Sequence, residues 1–157
     1  MVNNSKATFK WIVTILKKNK IPFQITGGLA ARQYGSDRPL YDIDIDMPNE
    51  FFEKLLPFVS DFVTFGPGEH VNNHFNITMM TIKYNDCQID ISGTEDGKFY
   101  NECEDKWETY GKDFEYSKLL NIFGETVPVI EKQKLIEFKK KLGRPTDLED
   151  VASLSKS

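Results

Sequence analysis

Four aspartates carry the most distinctive chemistry in this sequence. Asp42, Asp44 and Asp46 alternate with Ile43, Ile45 and Met47, and Asp90 lies between Ile89 and Ile91. Such alternation is strand geometry, in which residues i, i+2 and i+4 share one face. The three acids of the run therefore point the same way, and Asp90 points away from its aliphatic neighbours. If the two strands are adjacent, three or four carboxylates converge. Two unit charges about 4 Å apart repel by roughly 4 kcal/mol at an effective dielectric near 20, so such a group calls for a cation or a retained proton. Oxygen ligands alone select a hard ion, Mg2+ or Mn2+, over zinc. Taken alone, an Asp-x-Asp-x-Asp strand is equally well read as an acidic solvated face. The neighbourhood tips the balance: Gly27-Gly28 falls between a strand and a helix, where backbone N–H groups can face a phosphate.

The elements that must position these residues follow from pattern and punctuation. Ser5 is the expected N-cap of a first helix whose apolar face is Phe9, Ile12, Val13, Ile15 and Leu16. Residues 21–26 read as a short strand, 29–34 as a helix stopped by Gly35, and 41–47 as the acidic strand. Asn49 can cap a helix over 50–58; 62–65 is a short strand ahead of a flexible Gly66-Pro67-Gly68 stretch. Residues 75–84 and 87–92 form a hairpin about Asn85-Asp86. The segment from Gly93 to Tyr110 is polar, acidic and hard to assign. Two extended pieces, 114–122 and 126–130, precede a helix lined by Leu135, Ile136, Phe138 and Leu142. Thr146-Asp147-Leu148-Glu149 has the form of a capping box for a last helix. Helices flanking strands gathered in the middle predict an α+β fold, a mixed central sheet flanked by helices, in a single domain over residues 1–157.

Composition narrows the function classes. Twenty basic against 24 acidic side chains give a net charge of −4, which argues against extended nucleic-acid binding. Two unpaired cysteines, Cys87 and Cys103, exclude a disulfide framework and fit a reducing, cytoplasmic setting. No run reaches the ~20 apolar residues of a membrane span. His70 and His74 have ligand-like spacing but no Cys completes a zinc set, so they read as loop histidines, with a substrate-contacting role open because their loop could overhang the site. Trp11, Trp107 and Phe51-Phe52 read as anchors, and Cys87 as a small buried hydrophobe. Arg32, one turn past the glycines, is balanced between a phosphate contact and pairing with the acidic strand.

Thr26-Gly27-Gly28-Leu29-Ala30-Ala31-Arg32-Gln33-Tyr34-Gly35, followed by Arg38-Pro39-Leu40-Tyr41-Asp42-Ile43-Asp44-Ile45, resembles the signature of the DNA polymerase β-like nucleotidyltransferase superfamily. That signature is Gly-Gly or Gly-Ser, a spacer, Asp-x-Asp or Asp-x-Glu, and a third Asp on a later strand, here matched by Asp90. The tail from Val127 to Asp150 is similar to the C-terminal helices of minimal members, the lincosamide-type antibiotic nucleotidyltransferases and the AbiEii-type toxins. The resemblance covers residues 10–152 apart from the acidic middle. Thirteen residues separate Gly28 from Asp42 and fifteen separate it from Asp44, which favours Asp42 with Asp44 as the metal pair and leaves Asp46 auxiliary.

The resemblance implies a nucleotidyltransferase fold and transfer of a nucleoside monophosphate from an NTP to an acceptor hydroxyl, with pyrophosphate leaving. It implies that Asp42, Asp44 and Asp90 hold Mg2+ (or Mn2+), with Asp90 also assisting proton removal. Gly27 and Gly28 would present donors to the phosphates, and Arg38 and Lys139 would counter phosphate charge. A small-molecule acceptor is favoured; the alternative is a toxin–antitoxin component or an RNA- or protein-modifying relative, catalytic or not. A chain this short could complete its acceptor pocket across a homodimer.

Overall fold

The alternating stretches in the middle of the chain become strands of one sheet. The computed structural model describes residues 2–156. Its strands are β1 (Gln24–Thr26), β2 (Asp42–Met47), β3 (Val63–Val71), β4 (Phe75–Tyr84), β5 (Cys87–Gly93), β6 (Lys98–Asn101), β7 (Lys106–Thr109), β8 (Ser117–Ile122) and β9 (Glu125–Ile130). Its α-helices are α1 (Val2–Lys18), α2 (Gly27–Gln33), α3 (Phe52–Val59), α4 (Lys132–Leu142) and α5 (Pro145–Ser155). The sheet runs β7-β6-β4-β5-β2-β1-β9-β8, with β3 paired to β4 off that path. It is mixed: β2 with β5 and β1 with β9 are parallel, the other pairings antiparallel.

One face of this sheet is aliphatic. Ile43, Ile45 and Met47 of β2, Ile89 and Ile91 of β5, and Met80 and Ile82 of β4 are buried against Phe9, Ile12, Val13 and Leu16 of α1 and Leu55 of α3. Each such side chain contributes roughly 1.5–3 kcal/mol. A slip of one residue would exchange this face for the carboxylates, so core burial also fixes where the acids point. The opposite face carries those acids and borders a cleft whose other side is lined by residues of α4 and α5. A smaller core of Ile77, Phe99, Tyr110 and Leu142, with Phe75, Met79 and Phe138, packs α4 onto β4 and β6.

Tight turns hold the register. Asn85 and Asp86 both have positive φ, +55° and +58°, the mirror-image turn whose twist suits a two-residue hairpin. Gly143, at φ +65°, ends α4 as its left-handed C-cap.

Several sequence expectations are corrected. The first helix already runs from Val2, so Ser5 is a buried residue inside it and not its cap. Asn49 opens a short 3-10 turn, and its side chain bonds the backbone of Glu95 and caps no helix. Gly66-Pro67-Gly68 is not a loose loop: β3 continues through it with bulges, because β4 supplies a partner along its length. The unassigned acidic stretch holds the β6–β7 hairpin. The last helix starts two residues early, at Pro145 with Arg144 as its N-cap, so its N3 acid is Asp147 and not Glu149, and the Asp147 carboxylate accepts from the Arg144 backbone N–H.

Candidate active site

Parallel pairing of β2 with β5 sets Asp44 directly beside Asp90, and Asp42 beside Gln88. Neighbouring strands lie about 4.8 Å apart, so Asp42, Asp44 and Asp90 form a triangle on one face. Antiparallel pairing with β1 sets Thr26 opposite Asp44, and the chain then turns through Gly27 into α2. At Gly27, φ is +62° and a Cβ would meet Asp44 Oδ2 at 2.1 Å. Only glycine allows the turn to approach the acidic strand this closely. Thr26 makes no side-chain cap bond, so no capping oxygen takes the first N–H groups of the turn.

A cleft of about 360 Å³ opens between this face and the α4–α5 pair. Gly27, Gly28, Arg38, Asp42, Asp44, Asp90 and Lys139, the seven residues singled out by the sequence, all line it. Part of its lining is apolar, with Phe75, Ile77, Met79 and Phe138. His70 joins the lining through the β3–β4 hairpin, whereas His74 is not among the lining residues, and the two histidines form no metal site.

The acids differ in their environments. Among the described residues, no side-chain donor reaches Asp42 or Asp44. Burial and the adjacent Asp90 push Asp42 up. Burial, then Asp90 and Asp42, push Asp44 to about 7, partly offset by the Lys139 ammonium. Asp90 is held instead by Thr81 and Gln88. Asp46, the third acid of the run, departs from the group: it is 5% exposed and accepts a hydrogen bond from Tyr110 Oη. Burial raises it to about 7 against the pull of that bond, with Asp113 adding to the rise. Tyr110 separates the cleft from a smaller pocket of about 110 Å³ that Asp46 lines with Glu108, Asp113 and Glu137.

The cations are not free point charges. Lys139 is 4% exposed, with Nζ 3.0 Å from Asp150 and 3.4 Å from Asp147. Arg38 donates Nε and Nη2 to the two oxygens of Asp150 at 3.1 and 2.8 Å, and Ser36 donates to the same carboxylate at 2.8 Å. Burial would raise Asp150, but Arg38, Ser36 and Lys139 outweigh it and leave it at about 2. A Cβ on Gly28 would lie 3.5 Å from Arg38 Nη2, so Asp150 holds the guanidinium beside the glycine turn. Arg32 does not pair with the acidic strand: it donates to the Arg38 carbonyl. Trp11 is an anchor, stacked on Tyr84 at 3.9 Å, and Cys87 is buried. Asp150 escaped the sequence reading because it sits in an acidic helix start that needs no further explanation.

Solved structures with this architecture are nucleotidyltransferases, and the mixed sheet with its acidic face and glycine turn has that fold. A provisionally assigned nucleotidyltransferase from Thermotoga maritima superposes with a TM-score of 0.73 at 20% identity, covering 96% of this chain and 91% of that one. The lincosamide antibiotic adenylyltransferase LnuA, with lincomycin bound, gives 0.61 at 20% identity over 94% of each chain. ANT(2")-Ia, in complex with adenylyl-2"-tobramycin, gives 0.62 at 16% identity over 97% of this chain and 88% of that one. No curated protein matches the sequence. The chain belongs to the aminoglycoside-2''-adenylyltransferase family, whose sequence model matches residues 9–154. It is therefore a nucleotidyltransferase. Among the described residues no helix is long and apolar enough to cross a membrane.

Proposed function

We propose that the protein moves a nucleoside monophosphate from an NTP to the hydroxyl of a small molecule, releasing pyrophosphate. The observation that carries this is the pair of half-buried carboxylates without side-chain donors, Asp42 and Asp44, beside Asp90 and against a turn that only glycine can make. That arrangement fits a divalent cation: the donors are all oxygen, and their mutual repulsion is what such an ion relieves. Among the described residues no three such side chains already form a cage. Asp42 and Asp44 would hold the ion with Asp90 alongside, substrate phosphates completing its shell, the usual habit of Mg2+. Mg2+ or Mn2+ would supply positive charge against the triphosphate and the charge that develops during in-line displacement.

The chain's own residues do the rest. Backbone donors at Gly27 and Gly28 bind phosphate oxygens, and Arg38, fixed by Asp150, adds a planar guanidinium on the same side. Lys139 contributes field from behind its own ion pairs. Asp90 accepts the proton of the attacking hydroxyl as its oxygen bonds the α-phosphorus and the bond to pyrophosphate breaks. The size and partly apolar lining of the cleft suit a small acceptor, in keeping with the lincomycin bound to LnuA and the adenylyl-2"-tobramycin bound to ANT(2")-Ia. Labelled-NTP transfer against lincosamides, aminoglycosides and tRNA, with and without Mg2+ or Mn2+, tests the reading. Metal-dependent pyrophosphate release with a labelled small molecule is expected; none with any NTP, or label on tRNA alone, would overturn it.

A further inference from the structure

Asp90 differs from its two neighbours in being held. Thr81 Oγ1 donates to Asp90 Oδ1 at 3.0 Å. The Gln88 amide nitrogen straddles the carboxylate, 3.1 Å from Oδ1 and 3.2 Å from Oδ2. Register explains the arrangement. Thr81 of β4 lies directly across from Asp90, and Gln88 precedes Asp90 by two residues on the same face of β5, opposite Asp42. One donor comes from β4 and the other from the Asp42 end. Among the described residues no side-chain donor holds Asp90 from the direction of Asp44 or of Ser92, which both line the cleft.

A carboxylate rotates about two side-chain bonds, and an unheld one would spread over several rotamers. Donors from two directions select one of them. Proton transfer from an acceptor hydroxyl needs a heavy-atom separation of about 2.6–3.2 Å, so orientation at Asp90 bears on the chemical step more than on nucleotide binding. We propose that Gln88 and Thr81 are positioning residues that lock the Asp90 carboxylate with its free lone pairs turned into the cleft. The inference rests on the nucleotidyl-transfer reading for its consequence in turnover, but not for the geometry.

Thr81→Val keeps shape and removes the hydroxyl; Thr81→Ser keeps the hydroxyl; Gln88→Met keeps length and removes the amide. Thr81→Val and Gln88→Met are each expected to lower kcat about tenfold, the effect of losing a hydrogen bond to a charged group. KM for the NTP and the affinity for Mn·NTP should stay within about threefold, because Gly27, Gly28 and Arg38 are untouched. Thr81→Ser should recover most of the loss. Thr81→Ser as impaired as Thr81→Val, or full kcat in both Thr81→Val and Gln88→Met, overturns the proposal. Crystal structures of the two single variants give a readout independent of turnover: Asp90 is expected in more than one rotamer, and one unchanged rotamer in both also overturns it. Absence of pyrophosphate release from the unmodified protein would instead sink the nucleotidyl-transfer reading, with the rotamers still deciding the role of Gln88 and Thr81.

Discussion

The two walls of the cleft handle charge in opposite ways. On the sheet wall, Asp42 and Asp44 stand together, half-buried and without side-chain donors. On the helical wall, Lys139, Asp147 and Asp150 are buried and Arg38 is half-buried, yet each is paired within the protein. Burying a charge costs several kcal/mol unless a partner offsets it. The helical wall meets that requirement from its own sequence and serves as a frame. The sheet wall leaves it to be met from outside, the condition expected of a surface built to receive a cation and a phosphate.

The contrast can be broken most sharply at Asp44. Asp44→Asn should lower transfer about a thousandfold, roughly 4 kcal/mol of barrier, while a thermal melt shows a Tm equal to or above that of the parent, because a repulsive buried charge is gone. Loss of folding in that variant would mean Asp44 belongs to the frame. Asp150→Asn should do the reverse. With Lys139 left to Asp147 and Arg38 to the more distant, exposed Glu149, stability in urea should fall by about 3 kcal/mol.

Acid provides a gentler probe of the same difference. Asp150 sits at about 2 in the fold against an ordinary 3.8. A depressed carboxylate stabilises the fold above its unfolded pKa and ceases to do so as pH falls through the folded one. The stability gap between the parent and Asp150→Asn should therefore shrink by about 2 kcal/mol as pH drops from 5 to about 2, as denaturant titrations at each pH would show. The smallest effect is expected at Asp46. An asparagine there still accepts from Tyr110, so Asp46→Asn should change stability by about 1 kcal/mol or less and turnover by about threefold or less. A large loss of turnover would place all three acids of β2 in one site.

How much of this could be read beforehand depends on the range of the interactions. The acidic strand, the glycine turn and Asp90 were legible because alternation and turn chemistry are local properties. The fate of Asp46 was not, since Tyr110 is 64 residues away and nothing near Asp46 signals it. The pairing of Arg38 with Asp150 spans 112 residues, and Asp150 looks like any acid in the first turns of a helix. β3 was misread at Gly66-Pro67-Gly68 because local breakers were outweighed by continuous pairing to β4. The polar β6–β7 hairpin lacks the alternation that betrays a strand with one buried face.

The bond between Arg38 and Asp150 also sets an order of assembly. On the ribosome the glycine turn, β2 and β5 all emerge before α5 does. A nascent chain stopped short of residue 150 would carry the whole acidic wall, yet its guanidinium would swing without an anchor. On the proposed reading, such a chain would carry the carboxylates that take the ion but not the anchor that orients a guanidinium toward the triphosphate, so the two would become available at different moments of synthesis.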